Sequence, residues 1–340
     1  MTQSLRALME KAIDYAGLFP PATLPMEKAV ADYKEYLECP DSRMLSRFIC
    51  PTTRLREFEK TYAGLTNKGG PYLISALGRK AEDPERFTEY VQEDVEAIKQ
   101  FVERNAGKTV VDAFELCLPP GLASQPEKLQ QSLDSATKTI IQHTASSSLA
   151  TVYYETALSM SWQEDIEHVV RAIAEQTITE QTITEQDRSS ITQSVPDKTA
   201  IVGFKFRCGG VKAEQFPSVE QVVCCIKSCI NEGVRLKLTA GLHHPFRHFN
   251  ESVQTKMHGF INIFTATLLG KMYKLDETVL TEIIEDEDHT NFRFKEQSLS
   301  WKDLSITADQ ITEGRNNTII SFGCCNFDEP REDLQKSGLF

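Results

Sequence analysis

The sequence of 340 residues lacks several patterns that would assign a protein to a class at once. It has no apolar run of the roughly 18 residues that a membrane-spanning helix needs. Its N-terminal segment carries charges where a signal peptide has an apolar centre. It has neither of the glycine-rich motifs, GxxxxGK[ST] and GxGxxG, that bind nucleotide phosphates. We therefore expect a soluble protein of the cytoplasm with no membrane partner.

Runs of basic residues and CxxC cysteine pairs are absent as well. The net charge is −12 and no run of Lys and Arg offsets it, which argues against a nucleic-acid partner. The nine cysteines include no CxxC pair, so we do not expect a structural zinc site. An odd number of scattered cysteines is typical of reduced thiols in the cytoplasm.

What the chain does contain is a regular alternation of strand-like and helix-like segments. The candidate strands span residues 12–18, 44–50, 72–77, 110–118, 149–156, 201–207, 234–239 and 318–322. A helix candidate follows each of them, a pattern typical of βα units around a parallel sheet. Right-handed crossovers would close eight such units into a single-domain (β/α)₈ barrel, or TIM barrel, over residues 1–340. A doubly wound open sheet is the alternative.

Two segments interrupt this alternation. Residues 177–198 contain most of a direct EQTIT repeat and fall between a helix and the sixth strand. We predict a disordered or variable loop there, on the face opposite the active site. Residues 242–316 separate the seventh and eighth strands, and we predict that they form a lid or a pocket wall on the active face.

Five candidate strands carry a charged residue near their end, and for all of these residues but Glu155 a Gly or Pro lies four positions later. These residues are Arg47, Glu115, Glu155, Lys205 and Lys237. A buried charge is costly unless it is paired, so we expect the five to converge at the carboxyl mouth of the barrel. The cations stand out against the acidic background and suggest a small anionic ligand.

Two lysines on the sixth and seventh strands suggest amine chemistry. Alternation in GFKFRCGG places Lys205 and Arg207 on the barrel side, and RLKLTAG places Lys237 there. Like charge and burial both lower the pKa of an ammonium group, which makes the amine a better nucleophile. A plain alternative is a layer of ionic side chains that only fills the barrel interior.

This arrangement, a lysine in each of two successive strands with a glycine after each, resembles class I aldolases of the deoxyribose-phosphate aldolase type. The resemblance is confined to strands six and seven. It implies that Lys205 forms a Schiff base, that Lys237 tunes the pKa of Lys205, and that Glu115 fills the role of an acid on an earlier strand.

Two adjacent histidines, His243 and His244, follow the seventh strand. A general base or a metal ligand is often found at this position of a barrel. We expect one of the two to face the pocket and the other to face outward. Together with Glu115 and Glu155 they form an alternative divalent-metal set. Histidines that only make hydrogen bonds within their loop are the plain alternative.

The sequence thus predicts an enzyme that acts on a small anionic, carbonyl-bearing metabolite such as a sugar phosphate or keto acid. The preferred chemistry is that of a Schiff-base lyase without a cofactor. The predicted catalytic residues are Lys205, Lys237, Glu115 and His243, and the predicted substrate-binding residues are Arg47, Arg207, Glu155 and His244. The alternatives are a metal-dependent isomerase or hydrolase and an inactive barrel that serves as a binding protein. The sequence leaves open whether the protein forms a homo-oligomer.

Overall fold

A computed structural model describes residues 1–62, 70–144, 151–187 and 201–339, with only the backbone described for 143–144 and 177–187. Eight parallel strands form a closed barrel and helices alternate with them along the chain. The predicted (β/α)₈ fold is therefore confirmed.

The barrel strands are β1 (Ile13–Tyr15), β2 (Leu45–Pro51), β3 (Tyr72–Leu77), β4 (Thr109–Cys117), β5 (Thr151–Glu155), β6 (Ile201–Arg207), β7 (Arg235–Thr239) and, after five shorter strands, β13 (Ile319–Cys324). The shorter strands are β8 (His248–Asn250), β9 (Thr255–Met257), β10 (Phe292–Phe294), β11 (Ser298–Trp301) and β12 (Leu304–Thr307). Around the barrel the order is β1-β13-β7-β6-β5-β4-β3-β2, so the first and last barrel strands are neighbours.

The helices of the described residues are α1 (Gln3–Met9), α2 (Met26–Glu38), α3 (Leu55–Tyr62), α4 (Pro84–Arg104), α5 (Pro126–Thr144), α6 (Trp162–Asp187), α7 (Val219–Glu232), α8 (Phe260–Tyr273), α9 (Glu277–Glu285), α10 (Ala308–Asn317) and α11 (Asp328–Lys336). Among these residues, no helix combines the length and the apolar character that crossing a membrane requires.

The chain divides into two compact units. The terminal unit comprises Met1–Ile49 and Phe206–Phe340, and the central unit comprises Cys50–Lys205. In the central unit, helix α4 begins where the Asp83 side chain accepts a hydrogen bond from the backbone N–H of Arg86 at 2.8 Å, with Pro84 in the first turn.

In the terminal unit, helix α7 begins with a capping box in which Ser218 and Gln221 each accept a hydrogen bond from the other's backbone N–H. The helix ends at Gly233, whose φ of 69° is the left-handed conformation that favours glycine. Strand β7 starts two residues later, so these two signals fix the entry into the strand that carries Lys237.

The two interrupting segments differ from the sequence prediction in part. Helix α6 runs to Asp187 rather than ending near residue 176, so the first half of the predicted loop is helical. The remainder of that loop, 188–198, lies outside the described residues. Between β7 and β13, helix α8 packs on the barrel, because its Phe260 and Phe264 rings lie 4.9 and 6.0 Å from the ring of Phe322 in β13. It is an outer barrel helix.

Candidate functional site

A buried ion cluster lies within the central unit. The Nζ atom of Lys205 lies 2.7 Å from Glu115 Oε2 and 2.8 Å from Glu155 Oε2. Strand register explains this contact, because Glu155 of β5 lies opposite Lys205 of β6. Ser75 of β3 donates a hydrogen bond to Glu115 Oε1 at 2.5 Å. Three of the charges expected to converge therefore do meet.

The charge state of Lys205 differs from the sequence prediction. Burial by itself would lower the pKa of this ammonium group, but the attraction of Glu115 and Glu155 outweighs burial and raises the pKa. The expected lowering, on which the nucleophilic amine depended, is wrong in direction. At neutral pH, Lys205 is a cation held by two carboxylates.

A second ion cluster lies within the terminal unit and is centred on Asp14 of β1. Lys237 Nζ donates to Asp14 Oδ2, and Ser321 of β13 donates to the same oxygen at 2.6 Å. The backbone N–H of Arg47 donates to Asp14 Oδ1 at 3.1 Å, and the Arg47 guanidinium lies 3.6 Å away. Burial opposes the ionisation of Asp14, but the attraction of Lys237 and Arg47 outweighs it and lowers the carboxyl pKa.

This cluster changes the expected roles of two residues. Lys237, predicted to tune Lys205, is the ion-pair partner of Asp14, and both side chains are 0% exposed. Arg47, predicted to bind substrate, also pairs with Asp14. The cluster joins β1, β2, β7 and β13 through side chains within the barrel, so its evident role is structural.

A cavity of about 590 Å³ lies within the terminal unit. Its lining includes residues from the segments that follow four barrel strands: Pro21 after β1, Gly210 after β6, His243 after β7 and Asn326 after β13. The β8–β9 hairpin contributes further residues to the wall. Barrel enzymes hold their catalytic groups at this carboxyl edge, so the cavity is the candidate active site.

Local sequence explains how the loops reach the cavity. Gly241 has a φ of 70°, and a Cβ built on it would lie 2.7 Å from Gly209 Cα, so only glycine allows the segments after β6 and β7 to approach this closely. Beyond β13, the side-chain oxygen of Asn326 accepts a hydrogen bond from the backbone N–H of Asp328 at 2.8 Å, where α11 starts.

Both predicted histidines line this cavity, and a carboxylate of helix α11 holds each of them. His243 Nδ1 lies 2.8 Å from Glu329 Oε2, and His244 Nδ1 lies 2.5 Å from Asp333 Oδ2. Because an ionised carboxylate only accepts, each imidazole donates its Nδ1–H and has its Nε2 left for a ligand. The expectation that only one histidine faces the pocket is wrong.

The environment of His243 keeps its imidazole charged. Burial favours the neutral ring, but interactions with Cys324, whose Sγ is 3.7 Å from Nδ1, and with Glu329 outweigh burial and raise the pKa to about 10. The hydrogen bond from His243 in turn lowers the pKa of Glu329. His243 is therefore an imidazolium at neutral pH, with its Nε2–H as a donor.

The alternative metal set is not assembled. The described residues include no group of three or more His, Cys, Asp or Glu side chains placed to hold a metal ion. Glu115 and Glu155 contact Lys205, while the two histidines contact the α11 carboxylates.

Arg207, predicted to bind the anion, is exposed at the end of β6. All nine cysteines are free thiols.

Sequence reasoning missed the histidine partners Glu329 and Asp333. A signal for them exists: the two acids are four residues apart in α11, and neighbouring side chains on one helix face can hold two adjacent histidines. This signal requires knowing that β7 and β13 are hydrogen-bonded neighbours, which places the segments that follow them side by side.

Comparison with known proteins adds no family assignment. Neither a scan against protein-family models nor a search of curated proteins finds a match to this chain. The resemblance to deoxyribose-phosphate aldolases stays a prediction that rests on two strands. The proposed function therefore rests on the geometry of the sites.

Proposed function

We propose that the protein is an enzyme that moves a proton at the carbon next to the carbonyl group of a small anionic substrate. One observation carries the proposal: His243 is an imidazolium that lines a cavity, with Glu329 holding its Nδ1. An imidazolium attracts an anion and donates a hydrogen bond to a carbonyl oxygen, which stabilises the enolate that forms when the adjacent carbon loses a proton.

His244 is the group proposed to take that proton. Its Nδ1–H donates to Asp333, so its neutral form presents the Nε2 lone pair as a base. The ring centroids of His243 and His244 are 6.4 Å apart, which lets one small substrate contact both. Two adjacent imidazoles in different environments thus provide an acid and a base. Enolate formation is a step common to isomerases and lyases of carbonyl compounds.

Hydrogen exchange with solvent tests this function. The protein would be incubated in D₂O with pyruvate, phenylpyruvate, dihydroxyacetone phosphate or ribose 5-phosphate, and loss of the proton next to the carbonyl would be followed by ¹H NMR. We expect faster exchange than in buffer for at least one compound, and a loss of about 10²–10⁴-fold in H243Q. H289Q, at an exposed histidine, is the matched control and should exchange like the parent protein. No acceleration for any of the four compounds would refute the proposal.

A second candidate function is that of a Schiff-base lyase at Lys205. It is supported by the contact of Glu115 and Glu155 with the amine, since either carboxylate can accept the proton that the amine must lose. The raised pKa of Lys205 opposes this loss, and we therefore place the histidine pair first. Borohydride reduction in the presence of pyruvate or ribose 5-phosphate, followed by peptide mass analysis, should leave Lys205 unmodified. A reduced adduct at Lys205 would reverse this order.

A further inference from the structure

Part of the cavity wall is apolar, beside polar side chains of the β8–β9 hairpin and of the segment after β13. Leu24 after β1, Val211 and Phe216 after β6, and Val253 and Met257 at the β8–β9 hairpin all line it. Hydroxyl groups of a sugar chain lying against these side chains would lose their hydrogen bonds to water without replacement, which is costly. An aliphatic or aromatic group would instead gain from burial there.

The charged residues that line the cavity favour a ligand with a single negative charge. Among the described lining residues there is neither Lys nor Arg, the side chains that proteins use most to bind phosphate. Two acids line the cavity, and each is in an ion pair: Glu329 with His243, and Asp32 with Lys28 at 2.5 Å. The His243 imidazolium matches a single carboxylate better than a phosphate dianion.

The size of the cavity and its aromatic side chains indicate the size and character of the body of the ligand, the part that lies beyond its charged group. A volume of about 590 Å³ lies within the range of pockets that enclose ligands much larger than pyruvate. Tyr15 and Tyr36 line one side, with ring centroids 5.4 Å apart in an edge-to-face arrangement. Tyr15 is 1% exposed, so the partly exposed Tyr36 is the ring of this pair that can contact a further aromatic ring.

We infer that the cavity binds 2-oxo acids with an aromatic or branched apolar body, in preference to sugar phosphates. The adjacent carboxylate and carbonyl oxygens lie at His243, and the body lies against the apolar wall formed by Leu24, Val211, Phe216 and Val253. The inference rests on the proposed function, because that function places a carbonyl group beside the histidines.

Calorimetric titration of the whole protein with phenylpyruvate, pyruvate and ribose 5-phosphate tests this specificity. We expect phenylpyruvate to bind at least about tenfold more tightly than the other two, because only its ring uses the apolar wall. V211N changes a half-exposed wall residue (49% exposed), so the fold should tolerate it. It should weaken phenylpyruvate about 3- to 10-fold and leave pyruvate unchanged. M160N, at a 99% exposed position, is the control and should change neither.

The pH dependence of phenylpyruvate binding tests the role of His243 separately. The groups that face this imidazole are Cys324, Glu329 and His244, with Asp333 behind His244. In E329Q the imidazole loses one carboxylate that favours its charge, so phenylpyruvate affinity should fall at a lower pH than in the parent protein. An unchanged pH profile in E329Q would overturn the carboxylate contact with His243.

Binding and exchange separate the two proposals. Ribose 5-phosphate binding as tightly as phenylpyruvate overturns the ligand class, whatever the exchange assay shows. Phenylpyruvate binding in the expected order without any hydrogen exchange supports the ligand class and refutes the proposed function. H243Q should weaken phenylpyruvate at least about tenfold, and equal affinity in H243Q would overturn the inferred pose.

Discussion

Lys237 and His243 belong to the same unit and are both cations held by a carboxylate, yet their surroundings differ. Lys237 and its partner Asp14 are sealed, with both side chains 0% exposed. His243 is 13% exposed and its partner Glu329 is 46% exposed, and both line a cavity. A proton or a ligand can reach the second pair, whereas the first pair can only act on the stability of the barrel.

The difference follows from where each residue lies along its βα unit. Lys237 lies within strand β7, where its side chain contacts Asp14 of strand β1. His243 lies four residues beyond the end of that strand, where the chain has left the barrel. A charge inside a strand must be neutralised for the barrel to form, and a charge in the following loop is available for a ligand.

The largest effect is expected from breaking the sealed pair. D14N leaves the Lys237 ammonium without its ionised partner, and removing one member of a buried ion pair costs about 3–5 kcal/mol of unfolding free energy. Urea unfolding monitored by circular dichroism measures this loss. The double variant D14L/K237M removes both charges and should recover most of it. A loss below about 0.5 kcal/mol in D14N would show that the pair is not sealed in solution.

Breaking the ion cluster of the central unit should cost less unfolding free energy than D14N does. The cost should also differ between the two glutamates of that cluster. Lys205 keeps one glutamate when the other is changed, so each substitution costs less than breaking the Asp14 pair. Glu115 is 0% exposed and Glu155 is 12% exposed. We expect E115Q to cost about 1–3 kcal/mol and E155Q about 1 kcal/mol or less, because water compensates only the second. Equal losses in urea unfolding would contradict this order.

Local sequence signals predicted the barrel and part of the ion clusters. Alternation places Lys205 on the barrel side, and the Gly or Pro that follows the strands of Lys205 and Glu115 marks their carboxyl ends, so both charges were expected at the barrel mouth. The pairing of Lys237 with Asp14 was not predictable from local sequence. It depends on barrel closure, which places β13 between β1 and β7 and brings Ser321 to the same carboxylate.

Two other features were ambiguous for a physical reason. The segment TVYYET can turn either face of β5 inward, and only the register with β6 places Glu155 opposite Lys205. The acids of α11 give no local sign of a histidine contact, since a helix end rich in Glu and Asp is normally solvated. Their contact with the histidines requires two loops from neighbouring strands to meet, a tertiary feature with no local pattern.

A pH-dependent effect of intermediate size is expected at His243. Its folded-state pKa of about 10 exceeds the ordinary value of about 6.5. The imidazolium therefore stabilises the fold fully below about pH 6.5, and this contribution is lost as pH rises toward 10. After allowance for solvent screening of Glu329 we expect about 1–2 kcal/mol. The gap in unfolding free energy between the parent protein and H243Q should shrink from acid to alkaline pH, and a widening gap would contradict the assigned charge.

The smallest change in unfolding free energy is expected for the pair formed by His244 and Asp333. His244 is 29% exposed and Asp333 is 24% exposed, so D333N should cost only about 0.2–1 kcal/mol, and less at high salt. The same variant removes the acceptor that fixes the Nδ1–H tautomer of His244, and hydrogen exchange should fall at least about tenfold. Urea unfolding and the D₂O assay on one preparation separate the two effects. A variant that loses stability but keeps its exchange rate would assign Asp333 to the fold, alongside Asp14, and remove His244 from the proposed chemistry.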